Sequence, residues 1–276
     1  MKRVGLALSG GAVRGLAHLG VIKVLEEHGI PVHCVAGTSA GSLVGAFLAA
    51  GYRSDALLKI AGELGWGKIA GPAFPSKGLL DGRILERYLE KELGEINIED
   101  LQLPYAAVAV ELSSGSLAVF DKGPLAPAVR ASCAIPGIFT PLEHDDGLYV
   151  DGGIKCFTPV AQARALGADY CIAVKLVPPE RPARKPDNIL EVMLASFDLN
   201  ISHVAELEAA GDVTIMPELE DTTQFDFDKR DTLIERGEKA ARRQIYRIQR
   251  DLGMRSAVRD AFARLTGRSE LGEHSR

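Results

Sequence analysis

Residues 2–51 read KRVGLALSGGAVRGLAHLGVIKVLEEHGIPVHCVAGTSAGSLVGAFLAAG, and the fold is decided there. Residues 2–9 are apolar and β-compatible, Gly10 and Gly11 make a turn, and Leu16, Leu19, Val21, Val24 and Leu25 recur at helical spacing. Gly29 ends that helix, residues 32–36 form a second short strand, and a helix of small apolar residues runs from Ser39 to Gly51. Two strand–loop–helix units in succession imply parallel strands buried under helices.

Outward from this stretch, residues 54–64 and 83–93 are expected to be helices, separated by the Gly- and Pro-rich residues 65–82. Residues 106–112 and 117–120 flank a turn and read as a hairpin. A short helix near 124–133, a strand at 147–151, a helix at 159–166 and a strand at 169–176 follow. VPPERPARKPD, residues 177–187, is a linker or the base of a lid. Beyond it a helix over 188–210, a last strand over 213–216 and one or two basic helices over 230–266 are expected. Residues 1–176 then form a catalytic core, and residues 177–276 a linker and mainly helical region that completes the same domain.

The composition is that of a soluble globular protein: 276 residues, 46% hydrophobic and 25% charged, with a net charge of −5. A chain of this size buries a sizeable core without staples. Apolar runs fall far short of the ~20 residues of a membrane span, and residues 4–8 are too short for a signal peptide, so a cytoplasmic location is expected. Cys34, Cys133, Cys156 and Cys171 show neither metal-ligand spacing nor a disulfide framework and are expected to fill small apolar spaces. Residues 229–268 carry 12 Lys and Arg against 5 Asp and Glu, a balance of +7 that leaves −12 for the remainder. An acidic body with 6% aromatic residues argues against nucleic acid as a partner.

Gly10-Gly11-Ala12-Val13-Arg14-Gly15 lies where a strand meets a helix N-terminus, a place that favours negative charge. It is a poor dinucleotide site, because Ala12 replaces the middle glycine and the second strand ends without an acid, and no Gly-Lys-Ser/Thr serves a nucleotide. Gly37-Thr38-Ser39-Ala40-Gly41 matches G-x-S-x-G, whose glycines allow a serine to sit on a sharp turn at a helix N-terminus. Ser39 is then a nucleophile, the Ala40 N–H lies beside any oxyanion, and the first glycine turn offers further donors.

Only one strand–helix unit precedes Ser39, unlike an ordinary α/β-hydrolase. Of the histidines, only His203 and His274 follow a suitable acid, and neither sits in a turn that suits catalysis. The acid in Leu148-Tyr149-Val150-Asp151-Gly152-Gly153 ends a strand facing the crevice, while Asp145 and Asp146 read as solvated turn residues. Asp151 is therefore the candidate base.

The ordered set GGAVRG, GTSAG and DGG, with ASCAIPGIFTP between the last two and GLLDGRIL at 78–85, resembles the bacterial patatin-like phospholipases over residues 2–175. The resemblance implies a three-layer α/β/α sandwich with a mostly parallel central sheet. It implies a Ser/Asp dyad without histidine, carried by Ser39 and Asp151, and an oxyanion hole from Gly11 and Ala12 with Gly10 beside them. Gly15, Gly37, Gly41, Gly152 and Gly153 complete the motifs, and Arg14 matches a basic position that holds the loop or favours an anionic head group. Lys155, Cys156 and Phe157 stand where relatives often have asparagines. No cofactor or metal is implied, and the oligomeric state is left open.

The implied activity is hydrolysis of lipid acyl esters through an acyl-enzyme, with a regulatory or binding protein of the same fold as the alternative. An ordinary Asp, with a pKa near ~3.9, is a weak base for a serine hydroxyl, so burial of Asp151 is expected to raise it. Residues 65–82, with Trp66, Ile69, Phe74 and Pro75, suit an acyl-chain wall or lid, or equally a packed irregular loop. The helix at 188–210 suits core packing first and an interface second. The basic segment, with Arg242, Arg243, Arg247, Arg250 and Arg255, suits a helix docked on the acidic body or one lying against anionic lipid at the membrane periphery.

Overall fold

β1 (Val4–Leu8) leads through a 3₁₀ turn, Ala12–Gly15, into α1 (Leu16–Glu27), and β2 (Cys34–Thr38) leads into α2 (Ala40–Ala49). The structure is a computed structural model that describes residues 2–63, 65–71, 73, 77–176, 187–219, 222 and 227–254. The chain continues through α3 (Ser54–Glu63), α4 (Trp66–Ile69), β3 (Gly78–Leu80), α5 (Arg83–Leu93), β4 (Tyr105–Glu111) and β5 (Leu117–Phe120). Then come α6 (Leu125–Ser132), β6 (Gly137–Phe139), β7 (Leu142–His144), β8 (Gly147–Asp151), α7 (Val160–Ala165), β9 (Tyr170–Val174), α8 (Ile189–Leu207), β10 (Val213–Ile215) and α9 (Arg230–Asp251). Phe74, Pro75, most of the Pro-rich segment, and Arg255 and His274 with the rest of the C-terminal stretch lie outside the described residues.

The main sheet has the order β10-β9-β1-β2-β4-β8-β7, with β5 on the other edge of β4. β10, β9, β1, β2 and β4 run parallel; β8 and β5 are antiparallel to β4, and β7 is antiparallel to β8. Because successive side chains point to opposite faces, each strand feeds two cores. Leu6, Leu8, Val35, Ile172 and Val174 join the large core with α1, α2 and α9. Ala7, Ala36, Ala106, Cys171 and Ala173 face Val160 and Ala163 of α7, and their small size lets that helix sit close. Helices on both faces explain why the strands are apolar throughout rather than alternating.

β4 brings the two key strand ends together. Its first half pairs with β2, ending at Thr38↔Val108. Its second half pairs along the same edge with β8, which arrives from the opposite direction and ends at Asp151↔Ala109. The ends of β2 and β8 thus meet at consecutive residues of one strand.

α9 buries Leu233, Gly237, Ala240, Ala241 and Ile248, a stripe at helical spacing. Gly20 of α1 and Gly237 let the two backbones touch: a Cβ at Gly20 would strike the Ile234 carbonyl, and one at Gly237 the Ala17 carbonyl. β3, β6 and β7, at three residues each, are too short to show an alternation, and β3 pairs with β6 in a separate small sheet.

Candidate active site

The turn after β2 has the geometry that its glycines permit. Ser39 adopts φ 53° and ψ −125°, a conformation that costs a non-glycine residue on the order of 1–3 kcal/mol and persists only when its surroundings impose it. A Cβ at Gly37 would collide with the Gly41 carbonyl, and one at Gly41 with the carbonyls of Leu8 and Ser9, so the turn closes on itself and on the end of β1. Gly15 allows the other loop to approach, since a Cβ there would lie 2.6 Å from that of Ala40. The two loops expected to work together are packed against each other.

Asp151 is 1% exposed. Its Oδ1 accepts the Gly153 N–H at 2.8 Å, and its Oδ2 is buried without a hydrogen-bond partner among the described residues. Burial pushes its pKa up to about 7, and the Ser39 hydroxyl and the Gly153 amide pull the other way. The hydroxyl is close enough to favour the carboxylate but falls short of a formed hydrogen bond. Gly152 packs against the Val108 carbonyl of β4 and not against the serine turn, so its lack of a side chain seats the base on the sheet.

No described residue accepts the N–H of Gly11, Ala12 or Ala40, whereas Gly10 donates its N–H to the Phe157 carbonyl at 3.1 Å. Gly10 is therefore occupied and drops out of the candidate donor set. The Thr38 hydroxyl donates to the Cys156 carbonyl at 2.9 Å. Cys156 and Phe157 thus tie the loop after the base to both glycine turns through backbone carbonyls, which any residue carries.

Arg14 is buried, with Nη2 4.0 Å from Oδ2 of the equally buried Asp198 on α8. His18, invisible as a site residue in the sequence, has Nε2 2.9 Å from the Ser9 carbonyl; burial lowers its pKa to about 4, so it is neutral and supports the first loop. Burial and the nearby Asp151 push the Cys133 thiol far up, which leaves it unreactive. Asp145 and Asp146 are exposed turn residues with φ 44° and 61°.

Ser39 lies between two spaces. A cleft of about 340 Å³ is bordered by the first loop, Asp151, Phe157 and, from α8, Phe197, Asp198 and Ile201. A larger apolar pocket of about 710 Å³, mouth included, shares Ser39, Ala12 and Ile135 and is lined further by Leu43, Val44, Leu85, Phe139 and Phe227. No described residue of 65–82 borders either space; Ala70 and Leu80 stand behind, packed on Ile135, Ile138 and Phe139. Among the described residues, no histidine borders either space.

A family model described as "Patatin-like phospholipase" matches residues 6–164. An uncharacterised NTE family protein of Mycobacterium tuberculosis is 38% identical over 213 residues, covering 75% of this chain and 59% of its own length. Lysophospholipase NTE1 of Saccharomyces cerevisiae is 32% identical over 179 residues, 63% of this chain and 11% of that protein. The chain thus spans 59% of the length of the first of these relatives and 11% of the second. Among solved structures, VipD from Legionella pneumophila superposes with a TM-score of 0.63 at 16% identity, covering 88% of this chain and 66% of VipD. The likeness to VipD is one of fold.

Proposed function

The chain belongs to the patatin-like phospholipase family, and from that footing we propose that it is a serine acyl hydrolase of lipid carboxylic esters. The observation that carries this is the strained Ser39 beside the buried, proton-hungry Asp151, with amides that no described residue occupies on one side and an apolar pocket on the other. The acyl chain enters the apolar pocket, which presents the ester carbonyl to Ser39. Asp151 takes the hydroxyl proton as Oγ attacks the carbonyl carbon, and the N–H groups of Gly11, Ala12 and Ala40 receive the oxyanion. Each such donor is worth about 10²–10³ in rate. Collapse expels the alcohol, which leaves with the proton from Asp151. Water then attacks the acyl-enzyme, giving up its proton to Asp151, and the fatty acid departs as Ser39 regains its hydrogen.

Lysophospholipids are the esters to try first, because relatives bear the name lysophospholipase. Contact with a lipid surface is assigned to α8, whose inner face borders the cleft while Ile189, Val192, Leu199 and Leu207 stand exposed on it. No helix among the described residues is long and apolar enough to cross a membrane.

A fluorophosphonate probe tests the nucleophile. Labelling of the folded protein that disappears in Ser39→Ala supports the esterase, and absence of labelling in the folded wild type favours a binding protein of the same fold. Asp151→Asn is expected to lower ester turnover by at least about 10³-fold while remaining folded. Retained turnover in that variant rules the dyad out.

A further inference from the structure

We infer that Ser132, together with the backbone of Ala134, is a positioning clamp that sets the alignment of Ser39 with Asp151. The inference rests on the dyad proposed above. Ser132 is the last residue of α6 and fully buried. Its Oγ accepts the N–H of Ser39 at 2.9 Å and donates to the Val108 carbonyl at 2.6 Å. Two residues on, the Ala134 carbonyl accepts the N–H of Asp151 at 2.9 Å. One three-residue segment therefore grips the backbone of both members of the pair. It does so where β2 and β8 meet along β4, and Val108 is the residue opposite Thr38.

The need for such a grip follows from the geometry. The N–H of Ser39 begins a strained turn and points away from the helix it precedes, so β2 has no ladder partner for it beyond Thr38. Without Ser132 none of the described residues takes that buried donor, and the Val108 carbonyl loses the Ser132 hydroxyl, so the turn is expected to relax. Asp151 cannot compensate, since the Ala134 carbonyl holds its backbone N–H and the Gly153 N–H holds its side-chain Oδ1. Ser132 touches no reacting atom; it borders neither the cleft nor the apolar pocket.

The test compares Ser132→Ala with Val129→Ala, a truncation of a fully buried apolar side chain in the same helix that offers neither dyad residue a hydrogen bond. Ser132→Ala is expected to lower kcat about 10- to 100-fold with KM within twofold of wild type, the size of effect that a misplacement near 1 Å produces. Val129→Ala is expected to lose comparable thermal stability and keep its kcat. Equal losses of kcat in the two variants overturn the inference, because general loosening of α6 then explains both. Should Ser132→Ala fail to fold, the near-isosteric Ser132→Cys, a poor hydrogen-bonding group, is expected to fold and remain slow; wild-type kcat there also overturns it. Amide exchange at Ser39 separates this from failure of the dyad itself. It is expected to quicken at least about 10-fold in Ser132→Ala or Ser132→Cys whether or not the wild type hydrolyses any ester tried, and unchanged exchange overturns the clamp.

Discussion

At Asp151 the proton transfer proposed for it sets function against folding. Burial holds its pKa at about 7 in the folded chain against an ordinary value of 3.8. Between these values the folded protein holds a proton that the unfolded chain has released, so the stability this group contributes is complete below about pH 4 and is lost as pH rises through 7. Asp151→Asn removes the titration. The variant is expected to resist urea better than the wild type at pH 8, by at most ~4 kcal/mol, with the advantage shrinking toward pH 4. A lower urea midpoint for the variant at pH 8 would show that the carboxylate supports the fold. In the wild type, kcat/KM is expected to climb as pH rises through about 7, since only the ionised carboxylate accepts the serine proton. Both glycine motifs and the two residues proposed as a dyad stand out in the sequence because they are local patterns. The hydroxyl of Ser132 does not, since its partner lies 93 residues away in the chain.

At the scale of elements, the long helices and buried strands could be read because their periods repeat over many residues. What could not be read was direction. Asp151 was expected at a strand end by analogy with parallel sheets, and it does end a strand, but β8 is antiparallel to β4 and meets β2 head to head. Such pairing is decided by distant contacts and leaves no local signature. Docking of the basic segment on the body is one of the two readings its charge allows, but the place where α9 crosses α1 is hidden in the sequence, because Gly20 and Gly237 look like helix weaknesses until the helices are seen to cross there. Gly237→Leu places a side chain against the Ala17 carbonyl and is expected to destabilise by about 3 kcal/mol, read as a fall in Tm. An unchanged Tm would mean that the crossing tolerates several ångströms of separation.

For the whole molecule, the net charge of −5 conceals a basic segment on an acidic body. Where it is described, part of that segment's charge pairs with residues outside it: Glu238 of α9 meets Lys23 at 2.5 Å, Arg242 meets Glu27 at 2.6 Å and Arg243 meets Glu218 at 2.5 Å. Exposed pairs of this kind are worth about 0–1 kcal/mol each, so they orient α9 more than they hold it. The exposed apolar side chains of α8 are the better candidates for meeting lipid. Leu199→Glu combined with Leu207→Glu is expected to cut turnover of vesicle-borne lysophospholipid at least about 10-fold and to leave a soluble short-chain ester unaffected. Equal turnover on vesicles would remove α8 from the membrane contact. The meeting of β2 and β8 on β4 also bears on how the protein comes to life. A slip of one residue between β8 and β4 would carry Asp151 about 3.4 Å along the sheet and turn its side chain to the opposite face. Helices and individual strands can therefore assemble without bringing Asp151 to Ser39, and any ester turnover regained on refolding is expected to lag the return of helix content.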